Sequence, residues 1–144
     1  MTKVITKEKG DTGLIQIIAD LNRQNIKVAL PISEHLPFDL IAINSEGKLS
    51  KVSVKYKSLN KSGAIAVPLR SISTNMRGWK AKTINFNDID GIAIYCPDNG
   101  QSYYISSKNL IKYKSSFFLR VKECNHKKCV NLAKNYTNYN VLFE

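Results

Sequence analysis

The stretch from Pro37 to Lys57, PFDLIAINSEGKLSKVSVKYK, constrains this chain more than any other. Phe38 to Ile43 is apolar apart from Asp39, the pattern of a strand covered on both faces. Ser45-Glu46-Gly47 supplies a turn. Lys51 to Lys57 then alternates, with Val52, Val54 and Tyr56 facing one way and Lys51, Ser53, Lys55 and Lys57 the other. A short turn makes the two strands antiparallel neighbours, which lets Asp39 and Lys55 meet at one end of a sheet.

The remaining segments supply partners for that hairpin. After Gly10-Asp11-Thr12-Gly13, the residues Leu14, Ile15, Ile17, Ile18 and Leu21 recur on one face of an amphipathic helix of about three turns, with Asp11 or Thr12 as its N-cap. Ile26 to Ile32 reads as a short strand ended by Pro31, Ala64 to Leu69 as another, and Gly91 to Cys96 as a buried one. Pro97-Asp98-Asn99-Gly100 turns into a partner strand at Ser102 to Ile105. A short helix starts near Ser107, and Ser116 to Val121 has strand composition. Val130 to Tyr136 reads as a short helix and Asn138 to Phe143 as an extended end. Ser71 to Lys82 shows no period and reads as a long basic loop. The 144 residues fit one mixed α/β domain spanning 1–144, with a core over about 9–110 and a basic C-terminal extension over 111–144.

Twenty-two Lys and Arg against eleven Asp and Glu give a net charge of +11, which points to a polyanionic partner. The charge is segregated: Gly47 to Lys82 holds nine basic residues and no acidic one, while acids gather at Glu8 to Asp20, Glu34 to Glu46 and Asp88 to Asp98. A basic surface beside a small acidic site suits a nuclease. Charge alone favours plain nucleic-acid binding. No apolar run approaches the ~18 residues of a membrane span, and the N-terminus has no signal-peptide pattern, so a cytoplasmic protein without membrane partners is expected. Cys96, Cys124 and Cys129 are too few and too odd in number for a disulfide framework. Cys124, His126 and Cys129 lie close together, but no second pair follows at zinc-finger spacing, so they read as packing residues in a basic tail.

Cleaving a phosphodiester requires an activated water, a cation against the charge gathering on phosphorus, and help for the leaving oxygen. A hard divalent cation held by carboxylate and carbonyl oxygens, with a lysine beside it, supplies most of this. Asp39 and Lys55 are the residues placed for it. Taken singly, Asp39 is equally a strand-start acid held by backbone amides, and Lys55 a solvent-facing lysine.

Pro37-Phe38-Asp39 followed by Ser53-Val54-Lys55 resembles the PD-(D/E)XK nuclease signature. Around it stand Lys9-Gly10-Asp11-x-Gly13, Pro31-x-Ser33-x-His35-x-Pro37, Leu69-Arg70-Ser71, and Ile94-Tyr95-Cys96-Pro97 followed by Tyr103-Tyr104-Ile105. Together, along residues 9 to about 110, these resemble the cyanobacterial group I intron-encoded homing endonucleases with a PD-(D/E)XK core, the tRNA-intron enzymes in particular. The resemblance implies a restriction-endonuclease-like fold, a central mixed sheet flanked by helices. It implies site-specific cutting of double-stranded DNA with Mg²⁺ or another divalent cation, by a homo-oligomer, dimer or tetramer, whose symmetry doubles the contacts.

By the same resemblance, Asp39 is the metal-binding carboxylate, Lys55 orients or activates the attacking water, and the Val54 carbonyl is a further metal ligand. Two positions depart from the family. Ser53 stands where Gln, Glu or Asp is common, and Leu14 where the first helix usually carries Glu. Leucine cannot ligate Mg²⁺, and serine is a weaker ligand than a carboxylate. Asp11, one turn before Leu14, is either a cap or a water-mediated substitute for the missing acid. Impaired cutting follows, whether the site has drifted or the chain was altered to suppress it.

Lys48, Lys51, Lys57, Lys61 and Arg70 face DNA in this reading, or any one of them belongs to a solvated basic edge. Arg77, Trp79, Lys80 and Lys82 form a DNA contact, with Trp79 as a core anchor the alternative. His35 is a loop residue near the site or a phosphate contact. A Holliday-junction-resolvase-like or repair nuclease on the same fold, and a non-catalytic DNA-binding module, remain as alternatives.

Overall fold

The computed structural model describes residues 6–122 and 131–144, with backbone alone over 71–75 and 79–81. In chain order the elements are α1 (Thr6–Arg23), β1 (Lys27–Ala29), β2 (Leu40–Ile43), β3 (Leu49–Tyr56), β4 (Ala64–Pro68), β5 (Arg70–Asn75), β6 (Gly78–Thr83), β7 (Gly91–Cys96), β8 (Gln101–Ser106), α2 (Ser107–Leu110) and β9 (Ser116–Arg120). Two 3-10 helices, Ala133–Tyr136 and Tyr139–Phe143, close the chain. Five strands form the central sheet in the order β1-β2-β3-β7-β8, antiparallel throughout except for the parallel β3–β7 pair. β4 pairs with β9, and β5 with β6, each as a separate antiparallel ribbon.

Alternation along the strands separates two cores. On one face Leu40, Ala42, Val52, Ala93 and Tyr104 pack under Ile17 and Leu21 of α1 and against Leu142 and Phe143. On the other, Ile92, Ile94, Tyr103 and Ile105 pack against Ile65 and Val67 of β4, Phe117 and Leu119 of β9, and Leu110 of α2. Tyr104, fully buried, donates its hydroxyl to Asp20 of α1, which also accepts from Arg23 and Gln24 at 3.2 Å each. Burial, then the bond to Asp20, pushes the Tyr104 hydroxyl far above the usual phenol range, so it stays a donor that ties helix to sheet.

Asn25 ends α1. At φ 62° it occupies the left-handed region that asparagine tolerates, Ile26 N–H returns to Leu21 C=O at 3.0 Å, and Asn25 N–H to Asn22 C=O at 3.1 Å. The β2–β3 turn forms where the sequence places it. Gly47 has φ 81°, and the Asn44 side chain accepts from the Glu46 and Lys48 N–H groups at 3.1 and 2.8 Å.

Several elements differ from the sequence reading. α1 starts at Thr6, so Asp11 and Thr12 are exposed interior residues rather than N-caps, and Ile15 points outward at 63% exposure. Gly13 is interior because α1 crosses β3 closely there: a Cβ at this position would lie 3.2 Å from the Tyr56 Cβ. β2 starts at Leu40 and alternates, with Leu40 and Ala42 buried and Ile41 and Ile43 half-buried, because α1 covers one face more completely than the other is covered. The expected long basic loop is the β5–β6 ribbon, with Asn75 opposite Gly78 across a two-residue tip. The described part of 111–144 is no appendage: Phe117, Leu119, Ala133, Leu142 and Phe143 are all buried. The expected extended end is the 3-10 helix Tyr139–Phe143. Cys124, His126 and Cys129 lie outside the described residues. Among those described, no helix is long and apolar enough to cross a membrane.

Candidate active site

The site is set by a mismatch in strand length. β2 begins at Leu40 opposite Val52, so among the described residues β3 has no strand on that edge from Val54 onward. Asp39 stands just before β2, and its N–H donates to the Val52 carbonyl at 2.9 Å. Its Oδ2 accepts the Val54 N–H at 2.7 Å. Within a strand the N–H and C=O of one residue point to the same edge, so the Val54 carbonyl looks toward the edge where the Asp39 carboxylate lies. Continuing the Leu40–Val52 register puts Asp39 opposite Ser53, on the face of β3 that Ser53 and Lys55 share. Ser53 is buried at 7% exposure and Lys55 is half-buried.

Burial lowers the Lys55 ammonium from its usual value, Asp39 raises it, and Lys57 lowers it again. The desolvation effect wins, so Lys55 gives up its proton more readily than a surface lysine does. Leu14 approaches from the other face of β3: it packs on the α1-side core to which Val54 also packs, one residue after the Gly13–Tyr56 contact. Asp11 is exposed on α1, so no cap role holds it there.

The family-model match covers residues 4–139 and is described as PD-(D/E)XK endonuclease. This chain belongs to the PD-(D/E)XK endonuclease family. It is therefore related to phosphodiester hydrolases. Among solved structures it is similar to a bacterial homing endonuclease, I-Ssp6803I, with a TM-score of 0.78 and 26% identity over 92% of this chain and 88% of that one. At that identity it is a separate protein from I-Ssp6803I. Comparison with curated proteins yields no match.

Oxygen donors at this end of β3 are the Asp39 carboxylate, the Val54 carbonyl and the Ser53 hydroxyl. Among the described residues no three His, Cys, Asp or Glu side chains gather as a metal site. One carboxylate with neutral oxygens suits a hard cation such as Mg²⁺, which keeps several waters and takes few protein ligands.

The basic residues expected at DNA separate into groups. Lys57 lies just beyond β3 in a cleft beside Lys55. Arg70, Arg77 and Lys82 are exposed on the β5–β6 ribbon, while the Trp79 and Lys80 side chains lie outside the described residues. Lys51 is half-buried, its N–H donating to Asp90 at 2.8 Å, and Lys61 is exposed in the β3–β4 loop. Lys48 sits at the opposite end of β3 from Lys55, roughly 23 Å away at strand rise, and donates its Nζ to the Phe143 carbonyl. That separation takes it away from the Asp39 end. His35 is exposed in the loop before β2, with its N–H donating to Ser33 Oγ at 3.2 Å. Lys9 also lines the cleft, although the sequence reading assigned it no role. Starting α1 after Gly13 removes Lys9 from the helix, and the true start at Thr6 carries it to β3.

Proposed function

We propose that this protein is a site-specific DNA endonuclease of the homing type, using a divalent cation, Mg²⁺ first among candidates, at Asp39. The observation that carries the reading is the Asp39 carboxylate anchored on the Val54 N–H, with Lys55 next in sequence and its proton affinity reduced by burial. When bound, a divalent cation would offset charge on the phosphate and lower the pKa of a water. Asp39 and the Val54 carbonyl would hold it, with Ser53 as a weak neutral donor. Lys55 would orient the attacking water and stabilise negative charge on the phosphate oxygens. The Val54 N–H fixes the Asp39 carboxylate before any substrate arrives.

Two features favour slow cutting. Ser53 supplies no charge at the second acid position, and Leu14 packs on the core at the place of the helix acid. The same features favour, as a second reading, a module that binds DNA without cleaving it. Group I intron homing as the biological setting is supported by the likeness to I-Ssp6803I. A homo-oligomer, dimer or tetramer, is supported by exposed Ile15 on α1 and Leu30 and Ile32 just after β1, at 63%, 57% and 103%.

The deciding experiment is nicking of supercoiled plasmid with Mg²⁺ by the natural chain, by L14E/S53Q and by L14E/S53Q/K55A. Slow cutting, accelerated in the double variant and abolished in the triple, supports the reading. Absence of Mg²⁺-dependent cutting in all three leaves the binding module.

A further inference from the structure

A cleft of about 440 Å³ runs along the edge of β3 that β2 leaves open, and the first turns of α1 form its other wall. Its lining is basic: Lys9 from α1, and Lys55 and Lys57 from the end of β3, with the hydroxyl-bearing Thr6 and Ser58 beside them and no acidic residue among the described residues that line it. Space is open at Gly10, where a Cβ would meet nothing within 4 Å. Lys57 continues the β3–β7 pairing through its N–H to the Tyr95 carbonyl at 3.0 Å, so its backbone is held rather than left to the loop. Lys55 and Lys57, two positions apart, stand ~6.6 Å apart along the strand. Like charges that line one cleft repel one another, and an anion seated between them relieves that repulsion.

We propose that this cleft seats a second phosphate of the cleaved DNA strand, adjacent to the scissile one at Lys55, held by Lys9 and Lys57. The inference rests on the nuclease reading and adds Lys9 to it as a positioning residue. The phosphate fixes the register of the strand, so that the scissile bond lies at Asp39 and Lys55 rather than one nucleotide away. Lys9 touches no reacting atom; its work is to hold the strand.

Binding of a fixed-sequence duplex in EDTA, titrated with salt, tests this without any cleavage. Each phosphate contact contributes about 0.9 to the slope of log K against log salt. Lys9→Ala and Lys57→Ala are each expected to lower that slope by about one, and Lys9→Arg to restore it, with thermal stability unchanged. Acylation footprinting gives the second readout: duplex is expected to protect Lys9 and Lys57, and inorganic phosphate at the same phosphate concentration is not. An unchanged slope in Lys9→Ala, or an unprotected Lys9, overturns the proposal. Equal protection by inorganic phosphate also overturns it and makes the cleft a free-anion site. Failure of the nuclease reading appears elsewhere, as absent Mg²⁺-dependent nicking, so the two failures are separable.

Discussion

Asp39 accepts the Val54 N–H at 2.7 Å from beyond the start of β2, and this one bond positions the carboxylate beside the carbonyl that follows that N–H. Asp39→Asn keeps an acceptor of the same shape and removes the charge. Nicking by L14E/S53Q should fall by about 100-fold or more when Asp39→Asn is added, while the melting temperature stays nearly unchanged. Asp39→Ala leaves the N–H without its partner and should cost about 1 kcal/mol in denaturant unfolding. Equal stability loss in the two variants would contradict this account.

Lys55 carries a stability signature with a definite sign. Its folded-state proton affinity is lowered, so below that value the fold holds a charged group that the unfolded chain solvates better. The unfolded chain binds more protons between the folded value and the ordinary lysine value of 10.5, and the penalty is relieved as pH rises through that window. Lys55→Met should therefore be stabilising at pH 7 and lose its advantage toward alkaline pH. Unfolding of both proteins across that range checks it; a gap that widens with pH would be the wrong sign.

Gly91 leaves no room for a side chain. A Cβ there would lie 2.5 Å from Leu142 Cδ2 and 2.8 Å from the Ile105 carbonyl oxygen, and the latter belongs to the backbone of β8. Gly91→Ala should destabilise by about 1–3 kcal/mol through overpacking. Leu142→Ala, which empties a 2%-exposed site, should cost about 2–5 kcal/mol. Chemical denaturation measures both, and a negligible loss in Leu142→Ala would mean that the C-terminal helix is not part of the core.

Among the described residues the β5–β6 ribbon pairs with no other strand, so its removal should spare the sheet. Replacing residues 71–82 by a short glycine linker removes Arg77, Lys80 and Lys82. Duplex affinity should drop and its salt slope should fall by about three, with the melting temperature of the body retained. Unchanged affinity would remove the ribbon from the DNA surface.

Exposed Ile15 and Ile32 are the residues to change for assembly. Ile15→Glu together with Ile32→Glu should shift light-scattering mass toward the monomer without lowering helix content. A natural chain that is already monomeric at micromolar concentration would end the oligomer proposal.

The β2–β3 hairpin, the buried β7 strand, its β8 partner and the inward stripe of α1 were legible in the sequence, because alternation and 3.6-residue periodicity are properties of the local backbone. The placement of Asp39 near Lys55 at one end of the hairpin was legible for the same reason: a short turn fixes which strand ends meet. The start of α1 was hidden by Gly10 and Gly13, which read as breakers, although Gly13 serves a contact with Tyr56 more than forty residues away. The β5–β6 ribbon and the pairing of β9 with β4 were equally illegible, since neither pattern names its partner.

The sequence by itself determined which residues are candidates for the chemistry: one carboxylate, one lysine, a serine between them and an excess of positive charge. Only the tertiary structure decided where β2 begins against β3, and hence that β2 leaves the edge of β3 beyond Val52 uncovered. That edge depends on register and on helix placement, which are settled by contacts between segments far apart in the chain.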